Sequence, residues 1–414
     1  MSSVVLVQKD SMARKRKAPD HAAQVRRFVE QRREALRRYA FDLIRAVSVN
    51  PPGDEHRPAE VLARWCRAHA IPFETFEKAP GRTNLVARVG AGRPRVLLGL
   101  HLDTVPAGDG WETDPFAPVE RDGRLIGRGA VDDKGPLAAC MVAAEYLKAR
   151  EARLGGQLVL VAAADEEAGS ALGMKYLLAE CGLEADMAIV PDAGHSMQLI
   201  DVGEKGVLFL KAVAVGQQAH GSEPARGASA LWPMTDFLAR LRAWRPPATP
   251  ADLFTPPTLN VGALHAGTVP NMVPGRCEAL LDIRYLPGTR TEDVLAHVRR
   301  ELADVQAAAP GVTMALEVLS DQAPTLVDPD HPMIGRLEAR TEEVTGRRPR
   351  RFGASGATIA KFLLLGGVPA VGFVCGPEGA AHTANEGIAL EELARFAQVM
   401  ALVLWDLVQG DPNP

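Results

Sequence analysis

The chain has 414 residues, too many for one ordinary hydrophobic core, so two domains are expected. It is 47% hydrophobic and 24% charged, as globular proteins are, and its net charge of −4 with no strongly basic half argues against a nucleic-acid surface. No stretch reaches the about 18 consecutive apolar residues that would span a membrane, and the five scattered cysteines (Cys66, Cys140, Cys181, Cys277, Cys375) show neither CxxC spacing nor a disulfide framework, which fits a reducing cytoplasm.

Residues 1–23 read as a disordered leader. Its "VVLV" is too short for a secretory signal, and the basic "ARKRK" follows it in polar surroundings. Apolar residues then recur at helical spacing over residues 25–47, until "NPPGDE" breaks the helix. A second helix is expected near 59–69. "RVLLGLHL" reads as a strand and "PLAACMVAAEYLKAR" as a helix, with Pro136 suited to its first turn. "QLVLVAAA" is a strand, "ALGMKYLLAE" a helix and "DMAIV" a strand. This alternation predicts an α/β catalytic domain with a doubly wound, mostly parallel sheet.

The pattern changes near Gly206. "VLFLKAVAV", a helix at 228–244, the strands "TLNVGAL" and "RCEALLDIRYL", the helix "TEDVLAHVRREL" and the strand "TMALEVL" follow in β-α-β-β-α-β order. That is the order of a ferredoxin-like α+β sandwich. It is read as an insertion over residues 206–320, with the α/β domain formed by 24–205 and 321–414. The domain closes with helices near 332–345 and 358–365, the strand "AVGFV" and a helix near 390–408.

Ligands of open α/β sheets gather at the carboxyl ends of the strands. Here those ends are polar. The first delivers His101 and Asp103, which share a face by period-two alternation. The others deliver Asp165, Glu166 and Glu167, then Asp192, then His382, while Asp132 and Asp133 sit just before a helix. Taken singly, a strand-end Asp is usually a helix cap and a loop His a surface residue. So many like charges at one edge are costly unless cations neutralise them, and a mixed His/carboxylate set suits zinc.

In order, "HLD", "GRGAVDDKG", "DEEAGS", "PDAG" and "AHTANE" resemble the motifs of the co-catalytic di-zinc peptidase/deacylase family, which includes acetylornithine deacetylase, succinyl-diaminopimelate desuccinylase, aminoacylases, glutamate carboxypeptidase and cytosolic dipeptidases. The resemblance covers nearly the whole chain from about residue 30. It implies two Zn2+ ions, which Co2+ or Mn2+ can replace. Asp132 would bridge them, His101 and Asp192 would complete one site, and Glu167 and His382 the other. Glu166 would be the general base, and Asp103 would accept the second N–H of His101. A cis peptide between Asp132 and Asp133 is also implied. On the inserted lid, His220 would stabilise the oxyanion in a neighbouring subunit's site. Asn271, Arg284 and the turn carrying Gly353 and Ser355 would grip a substrate carboxylate. For Arg284 the plain alternative is a salt bridge with Asp282 or Glu278 on its own strand face.

The turn "GASGATIA" departs from the family pattern. Gly356 stands where an acid is expected and Thr358 where Arg is common. Aspartate at 192 and the "DDKG" motif lean towards the peptidase branches. The expected function is cleavage of a terminal amide bond of a small peptide in the cytoplasm, by a homodimer joined through the lid. N-acyl-amino-acid deacylation is the alternative, and a non-catalytic binding protein on the same fold the remote one. A serine hydrolase would need G-x-S-x-G, which is absent.

Overall fold

The computed structural model describes residues 21–192, 195–246 and 253–409. Most of the leader and part of the proline-rich loop near residue 250 lie outside the described residues. Helix His21–Gln31 opens the described chain, and Arg33–Arg45 follows it.

The larger sheet has nine strands. Their order is Phe73–Glu77, Thr83–Gly90, Gln157–Ala163, Arg95–His101, Met187–Val190, Ala370–Gly372, Leu199–Glu204 and Thr325–Leu326, and Arg350–Ala354 also pairs with Leu199–Glu204. Strands Gln157–Ala163, Arg95–His101, Met187–Val190 and Ala370–Gly372 are mutually parallel. The flanking pairings are antiparallel, except that of Arg350–Ala354.

The sheet is therefore mixed, parallel at its centre and at the Arg350–Ala354 pairing and antiparallel elsewhere, which corrects the expectation of a mostly parallel one. The cause is connection length. Parallel neighbours need a crossover of about a dozen residues or more, usually a helix. Phe73–Glu77 and Thr83–Gly90 are joined by a short turn. Leu199–Glu204 follows Met187–Val190 within nine residues, with no helix between them among the described residues. Neither connection can return the chain in the same direction. The strands Leu199–Glu204 and Arg350–Ala354 were not legible in the pattern, because Asp201, Glu204, Arg350 and Arg351 interrupt their apolar residues.

Alternation along Arg95–His101 buries both faces of the centre. Leu98 and Leu100 face one core, with helices Arg33–Arg45, His56–Ala68, Lys134–Lys148 and Leu390–Val408. Leu97 faces a second, with Met174–Glu180 and Ile359–Leu365. Helices thus cover both sides, and the strand ends are left open.

A second sheet is built from Thr258–Ala266, Arg276–Tyr285, Gly206–Val215 and Thr313–Gln322, in that order and antiparallel throughout. Helices Leu231–Ala243 and Thr291–Ala307 pack on it around Leu208, Leu210, Phe237, Ile283 and Val298, which form a cluster separate from the two cores above. Truncating fully buried Phe237 to Ala should cost about 3–5 kcal/mol in that core. Stepwise urea unfolding is expected to show an early transition for this unit, with the cores of the larger sheet retained. Simultaneous loss of both would mean that the two cores unfold as one.

Candidate metal centre

His101 ends its strand fully buried. Its Nδ1 lies 3.1 Å from the main-chain oxygen of Asp103, and its Nε2 lies 2.8 Å from Asp132 Oδ1. The other oxygen of Asp132, Oδ2, lies 3.1 Å from His382 Nε2, which is also 3.2 Å from Glu167 Oε2. Each oxygen of one carboxylate thus faces a different imidazole. The Asp132–Asp133 peptide is cis.

Two further carboxylates shape this arrangement. Asp103 accepts from the main-chain N–H groups of Glu166 and Glu167, each at 3.1 Å, and from Asn50 Nδ2 at 2.8 Å. Its own carboxylate stands 3.5 Å from His101 Nδ1, so the nearer acceptor for that ring N–H is its backbone oxygen. Asp103 thus does more than the expected pairing with His101: its carboxylate also shapes the Glu166–Ala168 turn, and its carbonyl helps orient the ring. The reason is geometric: two N–H groups of that turn converge on the carboxylate. Glu386, almost fully buried, accepts from the N–H groups of Val131 and Asp132 at 2.7 and 3.1 Å and pairs with Arg128 at 2.7 Å. Sequence reasoning missed Glu386, Arg128, Asn50 and the buried Arg82–Glu55 pair, whose arginine also reaches Asp165. Glu386 ends the "AHTANE" motif, which is the one signal that could have found it.

Two triads of donor atoms each lie within 4.8 Å of one another: His101, Asp132 and Glu167, and His101, Glu166 and Asp192. Asp192 Oδ2 is buried without a hydrogen-bond partner among the described residues. An orphaned carboxylate oxygen beside imidazole and carboxylate donors fits a divalent cation. Asp132, Glu166, Glu167, Asp192 and His382, with Gln322, Thr358 and Phe362, line a cavity of about 330 Å³.

The remaining candidates lie elsewhere. His220 and Asn271 are brought together on exposed loops of the second sheet, where Gly221 N–H donates to the Asn271 oxygen at 2.8 Å. The His220 Nδ1 is 2.7 Å from Ser222 Oγ. Arg284 makes the salt bridge that was its plain alternative, holding both oxygens of Asp282 at 2.7 and 3.1 Å, and also reaches the Ser355 carbonyl at 3.2 Å. Gly353 leaves no room for a Cβ, which would stand 2.1 Å from the Phe254 ring. The Ser355 hydroxyl lies 3.3 Å from that of Thr255. None of these five lines the cavity.

Residues 97–406 match the model of peptidase family M20/M25/M40. The chain belongs to this family. It is a metallohydrolase, a metal-dependent enzyme of amide-bond cleavage. It is 29% identical to an uncharacterised metallohydrolase of Methanocaldococcus jannaschii, over 88% of this chain and 97% of that one. It is 34% identical to a succinyl-diaminopimelate desuccinylase of Gluconacetobacter diazotrophicus, over 78% and 85%. A tripeptidase structure from Staphylococcus aureus shares the fold, with a TM-score of 0.74 and 21% identity over 91% of this chain and 98% of that one. No helix among the described residues is long and apolar enough to cross a membrane.

The electrostatics fit a family whose members hold metal. Burial, and then the Asp132 charge, raise Asp192 to about 7. Burial and the Asp192 charge push Glu166 well above the usual carboxylate range. Hydrogen bonds to Asp132 and Glu167 raise His382 to about 10. Burial opposes the charge on His101, but Asp103 and Asp132 raise it well above its ordinary value. Protons therefore supply the positive charge when no cation does.

All four groups titrate higher folded than unfolded. Each contributes stability that is present at low pH and lost as pH rises through its folded value. The thermal midpoint of demetallated protein should fall as pH rises from about 4 to 10, Asp192 losing its share between 3.8 and about 7 and His382 between 6.5 and about 10. Adding Zn2+ should largely cancel the fall. A flat profile for metal-free protein would remove the charge-crowding account of the site.

Proposed function

We propose that this M20-family enzyme is a two-zinc hydrolase that removes a terminal residue from small peptides. The observation that carries it is Asp132, whose two oxygens face His101 and His382 on opposite sides. His101, Asp132 and Asp192 would hold one ion, and Asp132, Glu167 and His382 the other. Cobalt or manganese would substitute. Bound there, the ions lower the pKa of a water towards neutrality and polarise the scissile carbonyl.

The chain's own residues do the rest. No hydrogen bond engages the carboxylate of Glu166 among the described residues, and burial keeps it a strong proton acceptor. It takes a proton from the attacking water and returns it to the leaving amine, which makes one side chain base and then acid. Glu167, its neighbour, is turned to His382 instead. Asp103, through the two N–H groups it accepts, holds the adjacent glutamates in these separate roles.

Residues 24–205 and 321–414 form the catalytic unit in this reading, and 206–320 a lid that also joins two copies. His220 would then serve the partner's cavity. Asn271, Arg284 and the turn with Gly353 and Ser355 would meet the substrate carboxylate once Arg284 exchanges Asp282 for it. The cytoplasm suits the free thiols among the described residues. Identity of 34% to a desuccinylase favours a second reading, hydrolysis of N-acyl amino acids.

Glu166→Gln should keep near-native zinc content while kcat falls by about 10²–10⁴-fold. Loss of zinc along with activity would make Glu166 a ligand, as its place beside His101 and Asp192 permits. Zinc-loaded enzyme offered a panel of dipeptides and N-acyl amino acids should cleave dipeptides, and exhaustive chelation should abolish turnover. Hydrolysis of N-acyl amino acids alone would transfer the assignment to the deacylases.

A further inference from the structure

The chain passes between the two sheets at Lys205 and again at Ala323, each one residue outside a strand of the second sheet. One buried side chain holds both crossings. Lys361, fully buried on helix Ile359–Leu365, donates from Nζ to the Lys205 carbonyl at 2.6 Å and to the Ala323 carbonyl at 3.3 Å. Its ammonium stands 3.7 Å from Glu204 Oε2, on a carboxylate that is itself fully buried. The other oxygen of Glu204 accepts from the N–H and the hydroxyl of Thr358, at 3.0 and 2.7 Å. Lys205 reaches the other way, to Thr255 Oγ1 at 2.7 Å and the Pro256 carbonyl at 2.8 Å.

These contacts join the crossings to the cavity. Gln322, next to Ala323, lines it, as do Thr358 and Phe362, which bracket Lys361 on its helix. A buried ammonium is costly unless its donors are used, and a hydrophobic side chain would fill the same space without that cost. A lysine kept here serves a geometry that a methionine cannot.

We propose that Lys361 is a positioning residue, whose ammonium pins both chain crossings and so fixes the axis on which the second sheet turns relative to the Gln322–Thr358–Phe362 wall of the cavity. The proposal rests on the reading of residues 206–320 as a lid, because it makes the clamp the pivot about which the lid moves. Bound substrate would then meet walls whose spacing is set at the pivot, and the clamp would act on substrate binding more than on proton transfer at Glu166.

The test uses the full zinc-loaded chain carrying Lys361→Met, Lys361→Arg or Glu204→Gln. Kinetics are measured on the dipeptide Ala-Gly and on N-acetylalanine, and amide hydrogen exchange is measured without either. Lys361→Met is expected to raise KM by about tenfold or more, with zinc content unchanged and a smaller effect on kcat. Exchange should accelerate locally over residues 199–207, 320–326 and 357–366. Lys361→Arg, which keeps donors for two carbonyls, should recover most of the loss. Glu204→Gln, isosteric and still able to accept from Thr358, should show the same local acceleration more weakly, and it decides the matter if Lys361→Met does not fold. Native kinetics and native exchange in Lys361→Met would overturn the clamp, as would acceleration spread evenly over the chain with no recovery by Arg. If native enzyme cleaves neither probe, only the substrate reading fails, since the exchange pattern still judges the clamp.

Discussion

The structure is organised around mutual repulsion among carboxylates that the fold forces together. Asp132, Glu166, Glu167 and Asp192 converge on one small cavity, with Asp103 and Asp133 fully buried behind them. Bringing such charges out of water is unfavourable unless positive charge accompanies them. His101 and His382 supply part of it by flanking Asp132. The sharing of one carboxylate between two imidazoles is the feature on which the candidate metal centre and the raised His101 and His382 of the metal-free protein depend.

The sheet makes that convergence possible. Its parallel centre aims the carboxyl ends of neighbouring strands the same way, and helices on both faces leave that edge as the exposed one. The charged residues do not hold themselves in place. Behind them lies a layer of fully made contacts: Glu386 with Arg128, Glu55 with Arg82, and Asp103 with Asn50 and two backbone N–H groups. These fix backbone positions and leave the oxygens and nitrogens that face the cavity available to a cation, which is how metal sites gain both affinity and orientation.

The same division of labour recurs at the junction of the two sheets. Buried Lys361 and Glu204 touch no substrate in any reading, yet they bond to the segments that carry Gln322, Thr358 and Phe362 to the cavity. A chain that crosses between two separately cored units needs its crossings held if the cavity between them is to keep its shape. Backbone carbonyls at a crossing have no neighbouring strand to pair with, and an ammonium supplies the missing donors.

The sequence by itself determined the elements whose burial is uniform and the residues whose chemistry is unusual for their place. Apolar runs ending in His101, Glu166–Glu167 and Asp192 announced a polar sheet edge, and ordered motifs announced the family. Tertiary structure alone decided the sheet's mixed direction, since pairing depends on how each connection returns. It also decided that Asp103 holds a turn, that Arg284 is engaged by Asp282, and that Gly353 makes room for Phe254. Glu204, Glu386 and Lys361 stayed hidden for one physical reason. In sequence a charged residue looks solvated, and only the three-dimensional fold can bury it and give it the partners that make burial tolerable.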